Sequence, residues 1–380
     1  MKVLVLGAGL VGAPMAFDLA KDAQFDVTVA DSAGQALAKF KKNKKIKTVC
    51  ADLSQNQVLT DLVSQQDTVL SAVPGFMGFK TLETVIKAGK NVIDIAFFPE
   101  DLFELDELAR KHKVVAISDM GVAPGMSNVL IGYADHQMDK TTRAAIYVGG
   151  LPKVRVWPYE YKAVFSPIDV IEEYTRPARY VENGKLITKP ALSDPELLNF
   201  PGIGTLEAFN SDGLRSLAET IDCPNMIEKT LRYKGHIEKM AMLRDTGFFS
   251  KEPIEINGTM ISPLDFTTRL LFPKWKLEAG DEDITVMRIE VEGTKLGRKM
   301  RYTYDLFDTY DRASRVHSMA RTTGYTATMA LRMVAAGLYT RQGVSAPEFV
   351  GKNKACVDFL LQGLAERGVV YHEKIENLGA

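Results

Sequence analysis

The sequence predicts an α/β fold in which a doubly wound parallel sheet carries an inserted α+β domain. Short apolar runs alternate with helical patterns from residue 1 to about residue 125. Such runs suit strands that are buried on both faces of a parallel sheet. The first run leads directly into a glycine-rich turn, and the alternation stops after Asn128, where polar aromatic residues and arginines become frequent. These three observations define the fold class.

The first strand is predicted over residues 2–6, and it is followed by Gly7-Ala8-Gly9-Leu10-Val11-Gly12 and a helical pattern. A strand, a glycine turn and a helix in this order form the dinucleotide-binding unit of the Rossmann fold. A glycine turn by itself is weak evidence, because such turns are common in loops. The strand before it and the helix after it make a dinucleotide site the favoured interpretation.

Each glycine of the turn has a separate predicted role. Gly7 permits the tight turn, Gly9 lets the backbone approach a pyrophosphate, and Gly12 lets the helix pack close to the strand. We expect the helix to start near Leu10, so that the free N–H groups around Leu10 and Val11 face the phosphates.

The choice of cofactor depends on Asp31. This residue ends the second apolar run, 25–30, and lies nineteen residues after Gly12. An acidic residue at this position binds the ribose 2′-hydroxyl and would repel a 2′-phosphate, so we expect NAD. NADP stays possible, because a lysine further along could reach a phosphate; the alternative is that these lysines form a solvated helix end. The lysines are Lys39, Lys41, Lys42, Lys44 and Lys45.

The predicted elements continue in strict alternation to residue 119. Helices are expected over 33–41, 58–65, 79–88 and 99–112, and strands over 47–52, 67–73, 91–95 and 114–119. Ligands of open parallel sheets bind beyond the carboxyl ends of the strands. We therefore expect Asp52, Val73 and Pro74 to face the same cofactor cleft as Gly9. Asp52 has an equal alternative as the N-cap of the next helix.

A turn with two glycines and a proline follows the sixth strand, over 120–128, and a helix is expected to open at about Ser127. The turn is either a domain junction or, as we favour from its place at the carboxyl edge of the sheet, a segment beside the nicotinamide. It ends at Asn128.

The second part of the chain is predicted as a separate α+β domain. Strands are expected over 144–150, 179–181, 287–292 and 299–306, with a short helix over 213–220. Two further helices, 322–338 and 357–367, are expected to return to the first domain. The predicted division is 1–125 for dinucleotide binding, 126–320 for substrate binding and oligomerisation, and 321–380 for the returning helices.

Composition excludes several classes of function. A chain of 380 residues with a net charge of −1 lacks the basic excess of nucleic-acid-binding proteins. We also expect no membrane span, because no run of about 18 apolar residues occurs, and no signal peptide, because no cleavable apolar segment follows Met1. The odd number and wide spacing of the cysteines fit a reducing cytoplasm. Three widely spaced cysteines predict neither a disulfide framework nor a metal site.

Arginines are the expected anchors for an amino-acid substrate, because a planar guanidinium binds a carboxylate through two hydrogen bonds. Arg176, Arg215 and Arg232 are the candidates. Arg215 is predicted in the first turn of the 213–220 helix, where a purely structural cation would oppose the helix dipole. Surface ion pairing is the alternative for each of the three.

Proton transfer needs a group that takes a proton from the substrate amine. Asp119, Glu160, Lys162 and His236 are possible, and each has an equally simple structural explanation. His236 lacks the partner histidine spacing of a metal site. Physical reasoning alone does not rank these residues.

Several motifs taken together resemble the saccharopine dehydrogenase-like family across nearly the whole chain. They are the glycine turn through Pro14, the turn Val122 to Asn128, Gly149-Gly150-Leu151-Pro152, Tyr161-Lys162 with Ser166-Pro167, and Thr230 to His236. The resemblance implies a Rossmann domain with an inserted second domain, and a homo-oligomeric oxidoreductase. It also implies that Arg215 holds a substrate carboxylate and places Tyr161 and Asn128 within the substrate motifs.

Within the family, three stretches resemble the L-lysine 6-dehydrogenase branch: 73–80, 172–179 and 211–216. That resemblance implies oxidation of the ε-amine of lysine with NAD. The glutamate-forming saccharopine reductase branch, or a related amine and keto-acid reductase, is the alternative. It usually has a serine-tyrosine pair where this chain has Ala96-Phe97, and an aspartate at Ala123.

A second class of function is a catalytically idle protein that binds NAD as a regulator or scaffold. It would have little use for the many arginines and polar aromatic residues of the second domain. We therefore favour an enzyme with a small amino-acid substrate.

Overall fold

The computed structural model describes residues 1–278 and 280–379. Two compact units are present. The first consists of Met1–Gln137 and Met319–Tyr371, and the second of Met138–Ser318 and the residues from His372 onward.

The strands have the following bounds in the described residues. They are β1 (Lys2–Leu6), β2 (Asp26–Asp31), β3 (Ile46–Cys50), β4 (Thr68–Ser71), β5 (Asn91–Asp94), β6 (Val115–Ile117), β7 (Lys140–Pro152), β8 (Ala178–Glu182), β9 (Lys185–Lys189), β10 (Glu196–Phe200), β11 (Gly204–Asn210), β12 (Met226–Tyr233), β13 (Ile254–Ile256), β14 (Thr259–Ile261), β15 (Asp283–Lys295), β16 (Arg298–Thr309), β17 (Gly343–Ser345) and β18 (Tyr371–Gly379).

The α-helices are bounded in the same way, with short 3-10 helices at Ala38–Phe40 and Leu102–Leu105. They are α1 (Gly12–Leu19), α2 (Gly34–Leu37), α3 (Asn56–Ser64), α4 (Gly75–Lys87), α5 (Asp106–Lys111), α6 (Met126–Gln137), α7 (Pro167–Thr175), α8 (Leu217–Thr220), α9 (His236–Thr246), α10 (Pro263–Trp275), α11 (Ser318–Ala335), α12 (Pro347–Gly351) and α13 (Lys354–Glu366).

The first unit contains a seven-stranded sheet with the order β17-β6-β5-β4-β1-β2-β3. All of its strand pairs are parallel. The order reverses at β1, so the crevice for a ligand lies at the carboxyl ends of β1 and β4. The predicted doubly wound parallel sheet is confirmed.

Several predicted boundaries in this unit need correction. The helix expected over 33–41 is the short α2 followed by a 3-10 turn, and the helix expected over 99–112 also starts as a 3-10 turn. The helix expected over 79–88 already starts at Gly75 as α4, with Pro74 as its N-cap. The seventh strand, β17, has only three residues and no alternating pattern that the sequence could reveal.

The unit boundaries also differ from the sequence-based ones. The first unit includes α6 and therefore extends to Gln137. At the other end, the chain leaves this unit again after Tyr371 and contributes β18 to the sheet of the second unit.

The second unit contains a mixed sheet with the order β10-β11-β12-β7-β15-β16-β18, to which the β8–β9 hairpin is attached through β12. β12 and β7 are parallel, whereas β7 and β15 are antiparallel. Helices α7, α9 and α10 pack around a core that includes Tyr174, Phe209 and Trp275. A second core, around Tyr147, Leu206 and Leu231, joins the strands themselves.

A buried carboxylate connects α1 with the two C-terminal helices of the first unit. Asp18 Oδ2 accepts hydrogen bonds from Thr328 Oγ1 at 2.7 Å and from Arg332 Nη1 at 2.8 Å. Arg367, at the end of α13, donates from Nε to Asp18 Oδ1 at 2.9 Å. Burial raises the pKa of Asp18, but Arg332 and Arg367 outweigh it and hold that pKa below its ordinary value. The carboxylate is therefore a charged junction inside the unit.

Replacing this carboxylate should destabilise the protein. Asp18→Asn removes the charge that two arginines face, and breaking a buried pair costs about 3 kcal/mol or more of unfolding free energy. Because the pKa of Asp18 is lowered by folding, the wild-type advantage should hold at neutral pH and shrink as the pH falls below about 4. Urea unfolding at pH 7 and pH 3.5 measures both effects.

Asp358→Asn is the matched control, since Asp358 forms an exposed pair with Lys354 on α13. It should cost less than about 1 kcal/mol. Equal losses for the two variants would contradict the role of Asp18 as a junction.

Candidate active site

The glycine turn is shaped by two close approaches in the first unit. Gly7 has φ +98°, and a Cβ atom there would lie 2.6 Å from the Ala72 carbonyl oxygen. A Cβ atom on Gly12 would lie 2.2 Å from the carbonyl oxygen of Gly7. A Cβ atom on Gly9 would meet nothing within 4 Å. The outer glycines are thus required by the fold, while the middle one borders open space where a pyrophosphate could approach.

The helix after this turn starts slightly later than expected. α1 begins at Gly12 with Val11 as its N-cap, and Leu10 is largely exposed within the turn. The first N–H groups of α1 therefore belong to the end of the glycine turn. Such N–H groups have no partner within the helix and suit the binding of an anion.

Asp31 lies against the glycine turn rather than in open solvent. Its Oδ2 accepts a hydrogen bond from the Ala8 N–H and its Oδ1 one from the Ala33 N–H, both at 2.7 Å. The Lys39 ammonium donates to the Ala8 carbonyl oxygen at 2.9 Å. Burial lowers the pKa of Lys39, and the charge of Asp31 opposes that shift. The interpretation of the lysine run as a solvated helix end does not hold for Lys39, because its ammonium group reaches back to the glycine turn.

The other residues predicted at this edge have mainly structural contacts. Asp52 is exposed, and its Oδ1 accepts hydrogen bonds from Ser54 Oγ at 2.6 Å and from Ser54 N at 3.0 Å. These bonds lower its pKa. Asp52 is not the N-cap expected as the alternative, because the N-cap of α3 is Gln55. Val73 is buried, and Pro74 is exposed as the N-cap of α4.

Asp119 and Asn128 both lie in the first unit. Asp119 follows β6, is buried and has φ +58°. It neighbours Asp94 at the end of β5, whose pKa is raised to about 7 by burial and by the charge of Asp119, with Ser71 and Ser118 opposing the shift. Asn128 donates from Nδ2 to Glu348 Oε2 at 3.3 Å. That bond makes Asn128 a contact between α6 and α12.

Arg232 stands at the centre of a buried polar cluster in the second unit. Its Nε donates to Tyr174 Oη at 3.1 Å, its Nη1 to the Leu231 carbonyl oxygen at 3.0 Å, and its Nη2 to Glu173. The guanidinium carbon lies 4.6 Å from the ring centroid of Tyr161. The side chain is only 2% exposed. Binding a substrate carboxylate, as predicted for Arg232, would require breaking these bonds.

His236 belongs to the same cluster. Its Nδ1 lies 2.8 Å from the Tyr159 carbonyl oxygen and must donate to it, so Nε2 accepts from the Tyr174 hydroxyl at 3.0 Å. Burial, and then the charge of Arg232, lower the pKa of His236 to about 3. The imidazole is neutral and both nitrogens are engaged, which leaves no site for the predicted proton transfer.

Tyr161 and Lys162 follow each other in the chain but point to different surroundings. The Tyr161 hydroxyl is buried and has no hydrogen-bond partner in the part of the chain that the structure describes, and burial raises its pKa. Lys162 donates from Nζ to the Lys276 carbonyl oxygen at 2.9 Å and lies 3.8 Å from Asp281. Lys162 is thus used to hold the segment after α10.

Arg176 and Arg215 come together in a second cluster. Burial, and then the charge of Arg215, lower the pKa of Arg176, so the two guanidinium groups lie close enough to repel each other. Arg215 is 5% exposed. Ser216, the next residue, has a buried hydroxyl with no hydrogen-bond partner among residues 1–278 and 280–379. Arg176 is only partly buried and also lies 3.7 Å from Glu172. A buried and a partly buried cation beside the Ser216 hydroxyl form an arrangement that suits a carboxylate.

The local structure at Arg215 differs from the prediction. Arg215 precedes α8, which begins only at Leu217 and has four residues, and its backbone has φ +53°. The dipole argument for Arg215 is therefore wrong, because the residue is not in a helical turn. A left-handed residue in a loop leaves no periodic pattern by which sequence could identify it.

Glu228 is the functional candidate that sequence reasoning missed. Its Oε2 accepts hydrogen bonds from Ser211 Oγ at 2.7 Å and from the Gly213 N–H at 3.1 Å. Burial raises its pKa to about 8, and Glu173 and Asp212 add to the shift. The only signal for it is that polar residues alternate along β12 on a face that proves to be buried.

Two features are absent from the described residues. Within residues 1–278 and 280–379, no group of three or more histidine, cysteine, aspartate or glutamate side chains is arranged to hold a metal ion. No helix in the same residues has the length and apolar character needed to cross a membrane.

Comparison with known families gives two matches that together cover most of the chain. Residues 3–117 match the family described as saccharopine dehydrogenase NADP binding domain, and residues 121–369 match saccharopine dehydrogenase C-terminal domain.

Individual relatives differ in how much of their length is matched. Saccharopine dehydrogenase [NADP(+), L-glutamate-forming] of Schizosaccharomyces pombe is 24% identical over 455 aligned positions, which cover 98% of each chain. Mitochondrial alpha-aminoadipic semialdehyde synthase of Bos taurus is 27% identical over 271 positions. That alignment covers 66% of this chain but only 29% of the bovine protein. The chain thus spans less than a third of the length of the mammalian relatives.

A solved structure has the same fold. Apo saccharopine dehydrogenase (L-Glu forming) of Saccharomyces cerevisiae superimposes with a TM-score of 0.80 at 20% identity, and the match covers 99% of both chains. The agreement extends over both compact units.

The tautomer of His236 gives a direct test of the buried cluster. Because its folded pKa is about 3, nitrogen NMR should show an unchanged Nδ1–H imidazole from pH 8 to pH 5. The unfolded chain takes up this proton near pH 6.5, so His236 should lower the free energy of unfolding progressively as the pH falls from about 6.5 towards 3. The urea-unfolded protein is the control, and a folded-state midpoint near 6.5 would refute the assignment.

Proposed function

Because this chain belongs to the saccharopine dehydrogenase family, we propose that it oxidises the C–N bond of a saccharopine-type secondary amine with NADP. The observation that carries the proposal is the similarity to the Schizosaccharomyces pombe saccharopine dehydrogenase over 98% of both chains. The comparisons support this alternative better than the oxidation of the lysine ε-amine, which was the leading expectation from sequence.

Besides the secondary amine and NADP, the reaction needs only water as a reactant. Hydride leaves a carbon next to the amine nitrogen for the nicotinamide, and the nitrogen lone pair forms the C=N bond of an iminium ion. Water adds to that carbon, and the C–N bond then breaks to give an aldehyde and an amino acid with a free ammonium group. The amine must be neutral before hydride can leave, so a base has to accept its proton.

Of the four residues predicted to accept that proton, we retain Asp119. Glu160 is paired with Arg155. His236 and Lys162 are engaged with protein carbonyl groups. Asp119 neighbours Asp94, whose pKa is raised to about 7, so the Asp94 carboxyl group can take up a proton near neutral pH.

The Arg176–Arg215 cluster supports an amino-acid substrate. Arg215 is buried and Arg176 is partly buried, and an anion placed between two guanidinium groups reduces their mutual repulsion. A carboxylate can accept a bidentate pair of hydrogen bonds from one arginine, and the Ser216 hydroxyl offers one more donor. We propose this cluster as the site of a substrate carboxylate.

The cofactor is proposed to be NADP, although Asp31 led us to expect NAD. The matched domain and the fission yeast relative both carry NADP in their descriptions. The two oxygens of Asp31 are occupied by backbone N–H groups, and the ammonium of Lys39 lies beside the same turn. Lys39 can therefore offset the charge of Asp31 and attract a 2′-phosphate.

Oxidation of lysine remains a second candidate, because two departures from the saccharopine branch favour it. This chain has Ala96-Phe97 and Ala123 where that branch usually has a serine-tyrosine pair and an aspartate. A lysine-type substrate would carry fewer polar groups and need fewer partners.

Product analysis should separate the two candidates. Saccharopine with NADP should give reduced nicotinamide and L-glutamate, whereas lysine would release ammonia. Arg215→Ala should raise KM for the amino acid about 10- to 100-fold, the loss expected when a charged hydrogen bond is removed, and leave KM for NADP nearly unchanged. Steady-state kinetics with both substrates measures the split.

Arg312→Ala is the matched control, since Arg312 is an exposed arginine of the same unit, and it should change neither KM. A similar rise in both KM values for Arg215→Ala would count against carboxylate binding. Binding of NADP without turnover of any amine would favour the non-catalytic alternative.

Lys39 should determine the cofactor preference. Lys39→Met removes the cation beside the turn, so kcat/KM with NADP should fall about tenfold while that with NAD changes little. Lys41→Met is the control, because Lys41 is exposed. Asp31→Ser should raise the preference for NADP further. A wild-type preference for NAD that Lys39→Met leaves unaltered would overturn this assignment.

A further inference from the structure

Glu228 supports the loop that carries Arg215. The loop runs from Ser211 to Ser216, and its Ser211 hydroxyl and Gly213 N–H both donate to Glu228 Oε2, at 2.7 and 3.1 Å. Ser211 Oγ also lies 2.7 Å from Thr230 Oγ1, two residues along the same strand. Side chains of β12 therefore hold the beginning of the loop at two points.

The fit between Glu228 and Gly213 leaves no room for another residue. A Cβ atom on Gly213 would lie 2.3 Å from Glu228 Cδ and 2.5 Å from Oε2. Only glycine lets the backbone N–H approach the buried carboxyl group this closely. The contact is thus specific to this pair of residues.

The loop needs such a support because it holds Arg215 in a strained conformation. A φ of +53° is in the left-handed region that residues with a side chain adopt rarely. Strain of this kind persists only where surrounding contacts fix the backbone. The contacts of Ser211 and Gly213 lie four and two residues before Arg215.

The surroundings of Glu228 indicate that it acts as a neutral group. It is 5% exposed, and Glu173 from α7 and Asp212 from the loop are acidic neighbours. Arg179 binds Asp212 with Nε–Oδ1 at 2.9 Å and Nη2–Oδ2 at 3.2 Å. The pKa of Glu228, raised to about 8, keeps its carboxyl group protonated at neutral pH. Glutamine is therefore a close mimic of Glu228.

We infer that Glu228 is a positioning residue that, through Ser211 and Gly213, holds Arg215 where it meets the carboxylate of the amino-acid substrate. This inference rests on the proposed function and deepens it. Glu228 itself does not touch the substrate; it acts through the loop.

Kinetics of Glu228→Ala and Glu228→Gln in the full chain test the inference. Glu228→Ala should raise KM for saccharopine at least about tenfold, the effect of misplacing one charged hydrogen bond, with KM for NADP within about twofold. Glu228→Gln keeps an oxygen that accepts both hydrogen bonds and should restore near-wild-type KM. Ser211→Ala removes only one of the two supports and should give a smaller rise, which keeps the test open if Glu228→Ala folds poorly.

Amide hydrogen exchange of the segment 211–216 provides a second measurement that does not depend on activity. Exchange there should become faster in Glu228→Ala and stay unchanged in Glu228→Gln. Unchanged exchange in Glu228→Ala, or equal rises in both KM values, would overturn the inference. If the wild-type enzyme oxidises no amine while the segment still loosens in Glu228→Ala, the proposed function fails and the substrate role of Glu228 fails with it, whereas the support of the loop stands.

Discussion

The first unit depends on one buried negative charge. Asp18 is inside the protein, and an unpaired carboxylate there would be strongly unfavourable. Arg332 and Arg367 satisfy it, although they follow it by more than 300 residues in the chain. The charge therefore requires the C-terminal helices to pack on α1. This contact closes the unit around the first β-strand, the glycine turn and the helix that would bind the cofactor.

The packing of α11 extends to the glycine turn itself. A Cβ atom on Gly324 would lie 3.1 Å from Met15 and 3.3 Å from a methyl group of Val11, so α11 approaches the N-terminus of α1 closely. Val11 is the N-cap of α1. A rigid backing behind this residue keeps the donors in place before a ligand arrives, and such preorganisation lowers the cost of binding.

The sequence predicted the first unit well because its signals are local. The glycine spacing, the strand before it and the acidic residue at the end of β2 all lie within 31 residues, and the structure places each of these elements as expected. The second unit was harder, since β12 pairs with β7, about 80 residues away. Arg215 and Arg232 are both arginines in similar polar motifs, so the sequence does not distinguish them. Only tertiary contacts reveal that Arg232 is bonded to Glu173 and Tyr174, while Arg215 lies near Arg176.

The choice of cofactor also depends on tertiary contacts, here those of Asp31 and Lys39. An aspartate at the end of β2 predicts NAD when its oxygens are available to the ribose. Here both oxygens accept backbone N–H groups at 2.7 Å, and a lysine from the following helical segment reaches the same turn. A carboxylate already bonded in this way, with an ammonium beside it, repels a phosphate much less than an isolated one does. Cofactor preference then follows from the partners of Asp31 more than from its residue type, and those partners are set by the fold.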